Sequence, residues 1–121
     1  MPGVEYIEYK GKKILYEDYS DTDPETLPPL LDKAHEIIAS QPKNSVIALV
    51  NVRNTRYNTQ TAQAMKQFVK SNTPYIRATA IIGLSGFQSV ILHGIIQFTG
   101  RKNLHVFDTA EQAKEFLIGL E

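Results

Sequence analysis

The chain has 121 residues, 42% of them hydrophobic and 21% charged, with 13 basic and 13 acidic side chains, no cysteine and a net charge of zero. This is the size and make-up of one domain, residues 1–121, built around a single core. It excludes disulfides, thiolate catalysis and cysteine zinc sites; no apolar run approaches bilayer length and Met1 to Glu5 lack the segments of a secretory signal, so a cytoplasmic protein without a membrane span is expected.

Val4 to Tyr9 alternates in polarity, Lys10-Gly11 reads as a turn and Lys12 to Tyr19 resumes strand-like residues, so the chain opens on a β-hairpin. An acidic loop, Ser20 to Glu25, follows. Leu27, Leu30, Leu31, Ala34, Ile37 and Ile38 then fall at helical spacing, with Pro28 and Pro29 tolerable only in the first turn, which puts the cap near Thr26. Gln41-Pro42 stops this helix, and Val46 to Val50 is a short apolar run of the kind buried on both faces of a parallel sheet. The polar loop Asn51 to Asn58 ends in a good cap, and Ala62, Met65, Phe68 and Val69 form the buried stripe of a second helix that Pro74 closes.

Ile76 to Ile82 reads as another core strand, Gly83 to Gly86 as a tight turn, and Phe87 to Thr99 as a strongly apolar helix ending at Gly100. Ser85 is the expected N-cap of that helix, with Gly86 allowing the close turn. Leu104 to Phe107 is the last strand, and Asp108 with Glu111 three residues on makes a capping box for a helix carrying Ala113, Phe116, Leu117 and Leu120. The order is ββαβαβαβα: an α/β fold with a mixed, mostly parallel five-stranded sheet and four helices. A ligand or partner is then expected at the carboxyl ends of the strands, on loops 51–58 and 83–86.

The neutral total hides a segregation of charge. Residues 1–36 hold nine acids against four bases and 108–121 hold four acids against one base, while the stretch between carries Lys43, Arg53, Arg56, Lys66, Lys70, Arg77, Arg101 and Lys102 with no acid at all. A stretch without carboxylates furnishes neither paired acid and base catalysts nor hard-metal ligands, but it does present a positive surface to something anionic. Asn51, Arg53, Arg56 and Asn58 stand out because they flank a helix N-terminus, where partial positive charge and free N–H groups favour a carboxylate or phosphate. The same asparagines also have a purely local use, satisfying loop backbone and capping the helix, with the arginines solvated.

Catalysis finds little support. His35, His93 and His105 make no i, i+4 ligand pair, and Gly83-Leu84-Ser85-Gly86-Phe87 lacks the second glycine of a nucleophile elbow. No catalytic residue, metal or cofactor is expected. Nucleic-acid binding is also disfavoured, since the bases are spread over four elements of a neutral chain. In the third helix, Phe87, Val90, Ile91, Gly94, Ile95 and Phe98 are expected to face the sheet, while Leu92 and Ile96 widen the apolar arc beyond one sheet face. A homodimer interface there, or a pocket for an apolar ligand, accounts for the excess, and Gly94 points to close approach by a backbone or ligand.

Taken in order, Tyr9-Lys10-Gly11-Lys12, Asp18-Tyr19-Ser20, Gln41-Pro42-Lys43-Asn44-Ser45-Val46, Asn72-Thr73-Pro74-Tyr75, Gly100-Arg101-Lys102 and Phe107-Asp108-Thr109 resemble the STAS/SEC14-type, anti-sigma-factor-antagonist-like (SpoIIAA-like) family of small bacterial proteins. The resemblance runs from about Tyr9 to Leu120. It implies a STAS-like domain with a non-catalytic, regulatory role: binding a partner protein, or alternatively carrying a small apolar or amphipathic anionic ligand in the SEC14 sense. Family members are switched by phosphorylation of a Ser or Thr in an Asp-Ser-Ser-Gly-like motif at the start of the helix after the central strand. Here that stretch reads Asn58-Thr59-Gln60-Thr61, with Asn in place of Asp and no Gly, which leaves Thr59 and Thr61 as the positions a phosphate would take.

Overall fold

Strands β1 (Gly3–Tyr9) and β2 (Lys12–Asp18) pair antiparallel in the register Tyr9↔Lys12 to Gly3↔Asp18. The two-residue turn between them has Lys10 at φ 50° and Gly11 at φ 84°, the left-handed pair that matches the twist of a hairpin. The structure, a computed structural model, describes residues 2–120, the side chains of Phe87, Ile96 and Phe98 excepted. After the hairpin come α1 (Leu27–Ala39), β3 (Val46–Asn51), α2 (Thr59–Asn72), β4 (Ile76–Ile82), α3 (Gly86–Thr99), β5 (Leu104–Val106) and α4 (Ala110–Ile118), with a 3-10 turn at Thr73–Tyr75. The observed order is ββαβαβαβα, as the sequence pattern predicts.

The sheet runs β1-β2-β3-β4-β5, with every pair after the hairpin parallel. One face carries Leu15, Tyr19, Ala48, Val52 and Ile81 and is covered by α1 through Leu27, Leu31, Ala34 and Ile38, by α2 through Met65 and by α3 through Ile95. The other face, Ile14, Leu49, Ala78, Ala80 and Ile82, is covered by α4 through Ala113 and Leu117. β3 and β4 are therefore buried on both sides, and each aliphatic side chain so enclosed contributes about 1.5–3 kcal/mol. Because all three parallel crossovers put their helix on one face, strand order never reverses, and no crevice opens between β3 and β4 by topology alone. Any site at the strand ends must be shaped by the loops.

Local expectations hold in part. Thr26 is the N-cap residue of α1, as expected, though its side chain makes no cap bond; the turn before it is held by Asp23, whose Oδ1 accepts the N–H groups of Thr26 and Glu25, each at 2.9 Å. Those bonds hold the Asp23 carboxyl below its ordinary value. The cap of α4 is Thr109, whose hydroxyl accepts the Gln112 N–H at 3.1 Å, not Asp108 with Glu111. Competition between adjacent cap-forming residues is decided by where β5 ends, which spacing alone does not reveal. Gly86 has open space where a Cβ would stand; the constrained glycine is Gly83, at φ +85°, where a Cβ would lie 2.6 Å from the Arg53 nitrogen. A Cβ at Gly94 likewise would meet nothing within 4 Å outside its own helical turn, so among the described residues no neighbouring element approaches it closely enough to require a glycine.

Candidate functional site

Three loops meet at the carboxyl end of the sheet. The turn after β2 is bound to the loop after β3 by Tyr19 N–H to Asn51 O, Asp21 N–H to Arg53 O and Arg56 N–H to Thr22 O, all at 2.9 Å. Thr22 and Thr55 both donate their hydroxyls to the Tyr19 carbonyl at 2.7 Å, and Asn54, at φ 56°, donates to Asp21 Oδ1 at 3.1 Å. The third loop, 83–85, is anchored by Gln88, which is 5% exposed: its Nε2 donates to Val52 O (2.7 Å) and Thr55 O (3.0 Å), while its Oε1 accepts the Ser85 N–H at 3.1 Å. Ser85 thus stands at the start of α3 as expected. Gln88 was not singled out by sequence reasoning; the signal for it is the Ser-x-x-Gln spacing of a capping box.

Between these loops lies an open cleft of about 490 Å³ lined by Asp21, Arg53, Asn54, Thr55, Arg56, Gly83, Leu84, Ser85 and Gln88. Arg53 and Arg56 are exposed and neither forms an ion pair among the described residues. Asn51 and Asn58, predicted to share the site, do not line it. Asn51 Oδ1 accepts the Arg53 N–H at 3.0 Å and its Nδ2 donates to Tyr16 Oη at 3.2 Å. Asn58 Oδ1 accepts the Thr61 N–H at 2.8 Å, and Thr61 Oγ1 accepts the Asn58 N–H at 2.8 Å. Both asparagines build the scaffold, and the two arginines are what the loop offers to a partner. Thr61, 3% exposed with its hydroxyl inside that capping box, is sealed off, whereas Thr59 is exposed.

Helix α3 differs from its expected layout. Leu92 packs against the core beside Ile91 and Ile95, and Val90, expected to face the sheet, is 70% exposed. The Ile96 side chain lies outside the described residues, as do those of Phe87 and Phe98. Behind Leu84 and Gln88 a smaller void of about 60 Å³ sits beneath the helix, lined by Val50, Val52, Tyr57, Met65, Ile81, Ile91, Leu92 and Ile95.

A second polar cluster, unseen in the sequence, is buried on the three-helix face. Glu17 is 2% exposed and accepts the Tyr19 hydroxyl at 2.7 Å. Burial raises its carboxyl from 4.5 to about 7, offset in part by the Tyr19 bond and the Arg101 charge. Arg101, 7% exposed, donates to Asn103 Oδ1 at 2.9 Å and Thr79 Oγ1 at 3.0 Å; burial lowers it to about 10 against the pull of Glu17. Asn103 in turn donates to Ile76 O and Arg77 O at 3.2 and 3.1 Å. The three histidines are dispersed: His35 Nδ1 lies 2.6 Å from Asn72 Oδ1, and His93 and His105 are exposed.

No protein-family model matches the sequence, and no curated protein does. A solved structure from Shewanella loihica PV-4, an uncharacterized protein of the DUF3478 family with a SpoIIAA-like fold, is similar: TM-score 0.75 over 95% of this chain and 92% of that one, at 14% identity. The fold is SpoIIAA-like. Within this SpoIIAA-like frame the two arginines and Thr59 belong to one segment, the loop after β3 and the start of α2. Among the described residues no helix is long and apolar enough to cross a membrane.

Proposed function

We propose that this protein is a non-catalytic, regulatory interaction module that acts through the strand-end cleft, where an acidic group of a partner protein docks on Arg53 and Arg56. The observation that carries this reading is that both arginines are exposed on the cleft while the neighbouring polar groups are consumed by the scaffold. Free guanidinium groups held on a braced loop bind carboxylates with little ordering cost. The SEC14-like carrier is less well supported, because a carrier encloses most of its ligand and the apolar void here is about 60 Å³. A phosphate on Thr59, three residues beyond Arg56, would add negative charge to the same segment and compete with the partner.

The test is native mass spectrometry of the protein isolated gently from its own cells, beside the double variant Arg53→Glu/Arg56→Glu. A partner species retained by the wild type, released by moderate salt and lost from the variant supports the reading; a partner retained equally by both removes it. A homodimer through α3 is part of the same proposal, supported by the outward Val90. Sedimentation should give a dimer for the wild type and a monomer for Val90→Glu, and a monomeric wild type would dispose of it. Leu92→Glu is unsuitable here, since Leu92 packs inward.

A further inference from the structure

We infer that Glu17 is a proton-operated latch on the strand-end cleft: as a neutral acid it keeps the turn after β2 fastened to the loop that carries Arg53 and Arg56, and once ionised it lets the two part. The inference rests on the cleft being the docking surface and adds what regulates it. Glu17 lies between Val4 of β1 and Val50 of β3, in step with Leu15 and Tyr19 on the three-helix face. It forms no ion pair among the described residues, because the Arg101 guanidinium is fastened to Thr79 and Asn103; the donor it does have is the Tyr19 hydroxyl, at 2.7 Å. Tyr19 is fully buried, its ring edge-on to Phe68 at 6.4 Å. A buried hydroxyl stripped of its acceptor is costly, so Glu17 reaches water only if Tyr19 moves with it.

The main chain of Tyr19 carries the same dependence into the loops. Its carbonyl accepts the buried hydroxyls of Thr22 and Thr55, each at 2.7 Å, and its N–H donates to Asn51 O. Displacing Tyr19 therefore orphans both threonines and frees the bonds beyond them, Asp21 N–H to Arg53 O and Arg56 N–H to Thr22 O. These groups open as one unit, and the unit includes the main chain of both cleft arginines. The charged or titratable groups that bear on it are Arg101, from the α3–β5 connection, acting on Glu17, and Tyr57, from the loop after β3, acting on Tyr19. The side chains that α1 and α2 turn to this core, among them Leu27, Leu31, Ala34 and Met65, carry no charge, and His35 is bonded to Asn72. Burial raises the Glu17 carboxyl from 4.5 to about 7, while in the opened unit it meets water. Closure is therefore strongest below 4.5 and weakens as pH rises to about 7.

The experiment is amide hydrogen exchange of the full chain between pH 4 and pH 8, expressed as protection factors so that the intrinsic pH dependence divides out. Protection of the Tyr19, Asp21 and Arg56 amides is expected to fall by up to about tenfold per pH unit between 4.5 and about 7, some 300-fold in all, and then to level off. The α4 amides of Ala113 and Gly119, whose local opening leaves Glu17 enclosed, should stay level. Glu17→Gln keeps an acceptor for the Tyr19 hydroxyl and cannot ionise, so its cleft amides should stay level too. Partner retention should weaken from pH 5.5 to pH 8 in the wild type and not in Glu17→Gln. Level cleft protection in the wild type, or the same fall in Glu17→Gln, overturns the inference whatever the partner does. Retention that changes equally in both proteins overturns the latch as a control on binding. A fall confined to the wild type, with a partner indifferent to Arg53→Glu/Arg56→Glu, overturns the docking reading and upholds the proton-linked opening.

Discussion

Arg101 and the pair Arg53 and Arg56 come from the same acid-free stretch, yet Arg101 is 7% exposed with its guanidinium on Thr79 and Asn103, whereas Arg53 and Arg56 stand exposed over the strand-end cleft. A buried guanidinium loses its water and must be given fixed acceptors and a counter-charge, which here are Thr79, Asn103 and the more distant Glu17. The exposed pair keeps its water and has no such obligations. Arg101 is thus committed to the fold, while the cleft arginines are free for a partner.

The largest effect expected is at Arg101. Arg101→Ala removes both hydrogen bonds and the charge facing Glu17, and should cost about 3–5 kcal/mol in urea denaturation at pH 8, with a smaller loss at pH 5. An equal loss at both pH values would uncouple the two residues and break the comparison at its buried side. Glu17 sharpens the same point. Its folded-state carboxyl is raised from 4.5 to about 7, so the folded chain holds the proton more tightly than the unfolded chain. Its relative contribution to stability is greatest below 4.5 and is lost as pH rises through about 7. Full ionisation costs on the order of 3 kcal/mol at 1.36 kcal/mol per unit. Glu17→Gln should accordingly gain about 1–3 kcal/mol over the wild type at pH 8 and almost nothing at pH 4; the opposite trend would mean that Arg101 overcompensates the burial.

Gly83→Ala lies next in size. A Cβ there, at φ +85° and 2.6 Å from the Arg53 nitrogen, strains the turn and displaces the Arg53 backbone. A loss of about 2 kcal/mol in thermal unfolding is expected, together with weakened partner retention. The smallest effect on stability belongs to Arg53→Gln/Arg56→Gln, within about 0.5 kcal/mol of the wild type. A loss of several kcal/mol there would show that these arginines serve the fold, and the contrast with Arg101 would disappear.

Most of the fold was legible in the sequence because its signals are local. The hairpin turn, the strand Ile76–Ile82 and the stop at Pro74 all rest on residues within a few positions of one another. The errors cluster where two local readings compete, as with Asp108 and Thr109 for the cap of α4, or Val90 and Leu92 for the inner face of α3. Half of the predicted cleft was legible too. Arg53 and Arg56 line it, but Asn51 and Asn58 are spent on Tyr16, Arg53 and Thr61, and only knowledge of those partners separates scaffold from site.

By itself the sequence determined the order of elements, the helix and strand periods and the segregation of charge, since each depends on neighbours along the chain. The tertiary structure alone decided which polar groups are buried and which are available. Gln88 finds its carbonyls 36 and 33 residues away, and Glu17 meets the Arg101 field only because β2, β3 and β4 lie side by side with α3 and its exit across one face. Whether a charge is solvated or enclosed is a property of what surrounds it in space, and strand pairing and helix placement, not local spacing, set those surroundings.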